Sequence, residues 1–124
     1  MDRAPARSRV FKTAWFTKAA RKALIGDDEL CEAIRQVTLG QADDLGGGVY
    51  KKRLGKNRYR SIVVAKGRED WVFEYLFAKQ DRANIEDEEL ARFRGLAKAY
   101  QALNEDQVDQ LLANRAWVEI CDGE

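Results

Sequence analysis

Tyr50-Lys51-Lys52-Arg53 is followed, after only Leu54 to Asn57, by Arg58-Tyr59-Arg60. If the two segments pair as antiparallel strands, a dense group of cations and two phenols is held on rigid backbone rather than on a loose tail. Arginine binds phosphate through two parallel hydrogen bonds and tyrosine stacks on an exposed base, so such a group suits a phosphate backbone. The plainer alternative is a solvated strand whose lysines protect a sheet edge.

Cleaving RNA through its own 2′-hydroxyl needs a base for that hydroxyl, donors for the developing phosphorane charge and an acid for the departing 5′-oxygen. The chain has no histidine, so the usual acid-base group and the commonest metal ligand are both missing. A lysine crowded by other cations can serve as base, because its pKa falls, while neighbouring arginines stabilise the transition state. Lys51, Lys52, Arg53, Arg58 and Arg60, with the later Lys79 and Arg82, offer enough groups. These residue types alone establish a polyanion-binding surface and do not reach catalysis. Two distant cysteines without histidine argue against a zinc site, and no other cofactor is called for.

The formal charge of +1 conceals a segregated distribution. From Gly46 to Arg68 there are eight bases and no acid, whereas from Asn84 to Glu124 there are ten acids against four bases. This asymmetry places a polyanion-binding face on an otherwise neutral molecule. At 124 residues, with 45% hydrophobic and 35% charged side chains, the chain has the size and composition of one soluble domain, expected to span residues 1–124. No apolar run approaches the roughly 18 residues of a membrane span. The basic opening, residues 1–9, lacks the apolar stretch of a secretory signal and reads as a frayed tail, so a cytoplasmic location is expected. Cys31 and Cys121 read as buried reduced thiols.

The elements that must position the basic group follow from periodicity. Val10 to Phe16 is rich in aromatic and β-branched residues and predicts a short strand, after which Thr17 would cap a helix through Ile25. Asp27 or Asp28 would cap a second helix carrying Leu30, Ile34 and Val37 on one face, stopped by Gly40. After Gly46-Gly47-Gly48, three strand-like runs, Val49–Leu54, Arg58–Lys66 and Trp71–Lys79, form an antiparallel meander, and apolar groups on both faces make the last a central strand. The acids Glu86 to Glu89 suit the start of a third helix, whose stripe of Leu90, Phe93, Leu96, Tyr100 and Leu103 reads as core. Asn104 with Gln107 resembles a capping pair for a fourth helix to about Ala113, and Trp117 to Ile120 would close the sheet. The predicted class is α+β, a small, mostly antiparallel sheet with helices packed on one side.

The stretches Asp44-Leu45-Gly46-Gly47-Gly48-Val49-Tyr50-Lys51-Lys52-Arg53, Arg58-Tyr59-Arg60-Ser61-Ile62-Val63-Val64 and Tyr75-Leu76-Phe77-Ala78-Lys79-Gln80-Asp81-Arg82-Ala83-Asn84-Ile85 together resemble the RelE-type toxins of bacterial toxin-antitoxin systems. The likeness runs from about Phe11 to Ile120. It implies a RelE/ParE-like fold, metal-independent cleavage of messenger RNA, usually on the ribosome, and a cognate antitoxin, expected to be of the helix-turn-helix type. By position, the resemblance places the family's basic catalytic surface on Lys51, Lys52, Arg53, Arg58, Arg60, Lys79 and Arg82; within it Lys51, Lys52, Arg53, Arg60 and Lys79 are expected to be catalytic, and Tyr50, Lys56, Arg58, Tyr59 and Arg82 are expected to bind RNA. One departure is the short connection Leu54 to Asn57, where many of these toxins carry a longer loop, and this bears on substrate preference more than on fold.

Two rival functions share these residues. A gyrase-poisoning toxin of the same superfamily would bind a protein rather than cut RNA, and the basic hairpin argues against it. A non-enzymatic nucleic-acid-binding module would use the same cations only to position phosphates.

Overall fold

A strand with apolar side chains on both faces must lie inside a sheet that is covered on two sides. In the computed structural model, which describes residues 8–67 and 69–121, that position falls to the run Ser61–Ala65, buried at every residue. The elements are β1 (Val10–Thr13), α1 (Ala14–Lys22), α2 (Asp27–Thr38), β2 (Asp43–Gly46), β3 (Val49–Leu54), β4 (Tyr59–Lys66), β5 (Asp70–Ala78), α3 (Asp87–Gln101), α4 (Glu105–Ala113) and β6 (Trp117–Ile120). They build a six-stranded sheet in the order β2-β3-β4-β5-β1-β6. Among the described residues only the β1–β5 pair is parallel.

The α+β class and the mostly antiparallel sheet agree with expectation, but the helices do not lie on one side. Adjacent residues of single strands enter different cores: Val10, Val63 and Phe73 pack with Leu30 and Ile34 under α1 and α2, whereas Phe11, Ile62 and Val72 face α3 and α4. The sequence already carried this signal, because Ile62 to Ala65 is continuously apolar, and such a run cannot keep one face in water.

The first strand is shorter than its composition suggested. Thr13 Oγ1 accepts the Phe16 amide at 3.0 Å, so the helix begins at Ala14, and the Thr17 hydroxyl donates to the Thr13 carbonyl instead of capping. Gly26, not Asp27 or Asp28, stands at the N-cap of α2, and both aspartates fall in the first turn, where negative charge suits the helix dipole. Strand β2 was not anticipated, since Asp43-Asp44-Leu45-Gly46 has no β-branched residue and becomes a strand only by pairing with β3. By contrast, α3 and α4 begin at capping boxes, Glu86 with Glu89 and Asn104 with Gln107. A bulge in β5 leaves Glu74 between the pairs Ile62–Tyr75 and Val63–Phe73, and its carboxylate accepts the Tyr100 hydroxyl at 2.7 Å. Burial raises the carboxyl of Glu74 above its ordinary range, and the Tyr100 bond partly offsets this.

The expected tail at residues 1–9 does not hold at its inner end: the Arg9 amide donates to Asp70, and its guanidinium pairs with Glu119 at 2.8 Å. Residues 1–7 lie outside the described residues. The reduced thiols are also a misreading. Cys31 in α2 and Cys121 just after β6 form a disulfide with their Cα atoms 5.6 Å apart. Spacing could not reveal this, because the two meet only when β6 returns along β1 and carries Cys121 onto α2. No helix among the described residues is long and apolar enough to cross a membrane.

The disulfide closes a loop across a sequence separation of 90, which restricts the unfolded chain and is worth about 2–4 kcal/mol. Cys31→Ser is expected to lower the free energy of unfolding by about that much, and a dithiol reductant should do the same to the wild type. Identical urea midpoints with and without reductant would show that the thiols are not joined.

Candidate nucleic-acid interface

Register decides where each cation points. In the β3–β4 pair Arg53 stands directly opposite Arg60, Lys51 opposite Ile62 and Val49 opposite Val64, so these side chains share the face covered by α3. Tyr50, Lys52, Leu54, Tyr59 and Ser61 take the other face. The adjacent lysines therefore separate, and what reunites them is the sheet edge. Strand β2 pairs with β3 only from Lys51 backward, and beyond it a cleft of about 340 Å³ opens, walled by Gln41, Asp43, Lys51, Lys52, Arg53 and Arg60.

Within this cleft the side chains differ in freedom. Lys52 Nζ donates to the Gln41 carbonyl at 2.9 Å, and its pKa is lowered by partial burial first and by the neighbouring Arg53 second. Lys51 Nζ donates to Asn84 Oδ1 at 3.2 Å and lies 3.8 Å from Asp43 Oδ2. Arg60 Nη1 folds back onto the carbonyls of Asn57 and Tyr59, each at 3.1 Å. Arg53 is exposed and has no hydrogen-bonded or ionic partner among the described residues. Like charges facing each other across a strand pair destabilise it, so the Arg53–Arg60 pair is a standing electrostatic cost that an anion would relieve.

A second cleft, of about 550 Å³, lies between the β3–β4 turn and the end of β5 and gathers Lys56, Arg58, Tyr59 and Lys79. The turn itself is constrained: Gly55, Lys56 and Asn57 all have positive φ, and the Gly55 amide donates to the Glu29 carboxylate of α2 at 2.6 Å. Helix α2 thus braces the basic hairpin at its tip.

Two residues assigned to RNA binding line neither of these clefts. Tyr50 packs against the main core, edge-on to Trp71 at 5.5 Å, and lines neither cleft. Arg82 has its guanidinium engaged by Glu89, the Tyr75 hydroxyl and the Asn84 carbonyl, above the Phe77 ring. The bond to Glu89 raises the pKa of Arg82, and Arg82 in turn holds the Glu89 carboxyl below its ordinary range. Arg82 therefore ties the end of β5 to α3, and through the Asn84 that follows, to Lys51. Sequence reading missed Gln41, Asp43 and Glu29, which carry no motif of their own, and it missed Arg94. The Arg94 guanidinium donates to the carbonyls of Leu45 and Gly46 and lies across the triple-glycine turn that launches β3. All three glycines have positive φ, and a Cβ on Gly47 would come within 2.7 Å of Arg94 Cγ.

The family model described as the RelE toxin of the RelE / RelB toxin-antitoxin system matches residues 8–120. No curated protein and no solved structure matches the chain.

Because the glycine turn sets the register of β3, Gly47→Ala should destabilise the fold by about 1–2 kcal/mol from its left-handed backbone alone, with a further cost from the Arg94 contact. Adding Arg94→Ala removes the steric part, so the double variant should lose less stability than the sum of the two singles. Strict additivity in urea melts would mean that the two residues are not in contact.

Proposed function

Since the chain belongs to the RelE toxin family of toxin-antitoxin systems, we propose that it is a messenger-RNA endoribonuclease that acts in the cytoplasm on translated messages. The observation that carries this reading is the opposed Arg53–Arg60 pair beside Lys51 and Lys52, a like-charge arrangement that makes sense around a phosphate. In this reading one domain does the work. Lys52, the lysine with the lowered pKa, takes the proton of the 2′-hydroxyl. The freed oxygen attacks the adjacent phosphorus, and the bond to the 5′-oxygen breaks. Arg53 and Arg60 balance the charge on the phosphorane, and the ammonium of Lys51 gives its proton to the departing 5′-oxygen, leaving a 2′,3′-cyclic phosphate. Lys56, Arg58, Tyr59 and Lys79 hold the flanking backbone in the neighbouring cleft.

The chain's lack of histidine supports a reaction run by lysine and arginine without a metal ion. A toxin of this family implies a cognate antitoxin, and we propose a helix-turn-helix protein that presents acidic residues to the basic hairpin. The Cys31–Cys121 bond runs against a cytoplasmic location, where thiol buffers keep most cysteines reduced, and the reductant dependence of stability bears on that point.

Induced expression without antitoxin should arrest growth and truncate messages inside translated regions, as read by mapping RNA ends. Arg60→Ala should cut the cleavage rate by on the order of 100-fold or more while the fold persists. Intact transcripts together with inhibited DNA supercoiling would replace this reading with a gyrase poison.

The lowered pKa of Lys52 also fixes a sign for pH. The base must be neutral, so the rate should rise with pH through a range below that of an ordinary lysine, about 10.4. Lys52→Arg should abolish that rising limb. A pH profile unchanged in the variant would assign the base elsewhere.

A further inference from the structure

The two clefts of the basic hairpin do not end at Tyr59. A larger cavity, of about 620 Å³, adjoins the Lys56–Lys79 cleft and shares with it the wall formed by Tyr59, Ala78 and Gln80. Its far side is α1. Strand β1 pairs with β5 only as far as Phe73, so from Tyr75 onward the edge of β5 faces α1 across this space.

Trp15 sits at the mouth. Its indole stacks on Tyr75, centroids 5.1 Å apart and planes at 24°, yet 52% of the residue remains exposed. The other tryptophans, Trp71 and Trp117, are buried. Tyr75 cannot swing away, because its ring also packs against Phe77 and Phe93 and its hydroxyl receives a bond from Arg82. The exposed indole is therefore a fixed aromatic surface, not a frayed side chain. On the same face of the helix, at i+3 and i+7, Lys18 and Lys22 line the cavity and are exposed. Of the bases on β1 and α1, Lys12 is paired with Asp27 at 2.8 Å, which leaves Lys18, Arg21 and Lys22 along the helix. The acid facing the cavity is Asp81, across from α1 at the end of β5.

An exposed aromatic on a rigid support, flanked by cations and continuous with a basic cleft, has the chemistry of a platform for single-stranded nucleic acid. We infer that the Trp15–Tyr75 stack, with Lys18 and Lys22, is a second RNA subsite that holds an unpaired base of the same strand whose scissile phosphate lies at the hairpin. The inference rests on the proposed function and extends it. RNA runs from the Arg53–Arg60 cleft past Lys79 and Tyr59 to α1, the base stacks on the indole, and Lys18 and Lys22 contact its phosphates. The subsite then contributes to affinity and to the choice of sequence on one side of the cut, and it performs no chemistry. It also offsets the short Leu54–Asn57 connection, since part of the grip on RNA comes from the first helix instead of from a long loop.

The test uses the full chain and an uncleavable 2′-O-methyl oligoribonucleotide of about twelve nucleotides. Binding should quench the emission of Trp15, and Trp15→Phe should remove that quench while keeping most of the affinity. Trp15→Ala should weaken binding by about tenfold, the scale of one lost base stack, and Lys18→Glu with Lys22→Glu should weaken it and flatten its salt dependence. On cleavable RNA, Trp15→Ala should raise KM and leave kcat unchanged. If the wild type binds and cleaves RNA and these variants match it, the subsite is wrong and the proposed function stands. The subsite falls equally if Trp15→Ala weakens only the complex with the antitoxin. Should the wild type fail to bind RNA at all, both readings fall together.

Discussion

Everything in this molecule hangs on β4, which must be buried on both faces from Ser61 to Ala65 while its first two residues stay in reach of water. The apolar middle is what lets α1 and α2 close on one side and α3 on the other. The same strand then emerges from between the layers carrying Tyr59 and Arg60, so the cations stand at the end of a rigid beam anchored in two cores. A like-charge pair such as Arg53 and Arg60 would simply splay on a two-stranded ribbon in water. Here the buried half of β4 supplies the stabilisation that offsets the repulsion at its tip.

That division explains the accessory contacts. Glu29 braces the tip of the hairpin from α2, Arg94 clamps its root through the glycine turn, and Arg82 with Asn84 joins β5 and α3 to Lys51. None of these groups needs to touch a substrate. Each limits how far one cation can move, which holds several flexible side chains in one arrangement around the cleft.

The legible parts of the sequence were those where a local rule and the global fold agree. The bounds of β3 and β6, and those of β4 and β5 to within a residue, follow from strand periodicity and turn residues, α3 from its acidic first turn and apolar stripe, and α4 from its capping pair. The conjunction of Lys51, Lys52, Arg53 and Arg60 was legible because a short hairpin fixes its own register. What was not legible depended on long-range partners. Ala14 to Phe16 has the composition of a strand, but β1 loses β5 at Thr13 and the Thr13 hydroxyl starts a helix. Asp43 to Gly46 is a strand only because β3 is beside it. The immediate partners of Tyr50 and Arg82 were not legible either, because the fold alone brings Tyr50 edge-on to Trp71 and Arg82 against Glu89.

The disulfide also changes what kind of object the polypeptide is. With Cys31 joined to Cys121, all of β2 to β6 and most of α2 belong to one covalent ring, and the basic hairpin lies inside it. A protease that cuts once anywhere in that ring opens a strand but releases nothing, because the pieces stay linked through sulfur. The segment before Cys31 is different, since it hangs from the ring by one peptide chain, and a single cut after α1 would leave β1 and the exposed tryptophan held only by sheet pairing and packing, with no covalent link to the rest. Oxidised chains therefore resist being broken into halves, and their vulnerable point is the short connection between the first two helices.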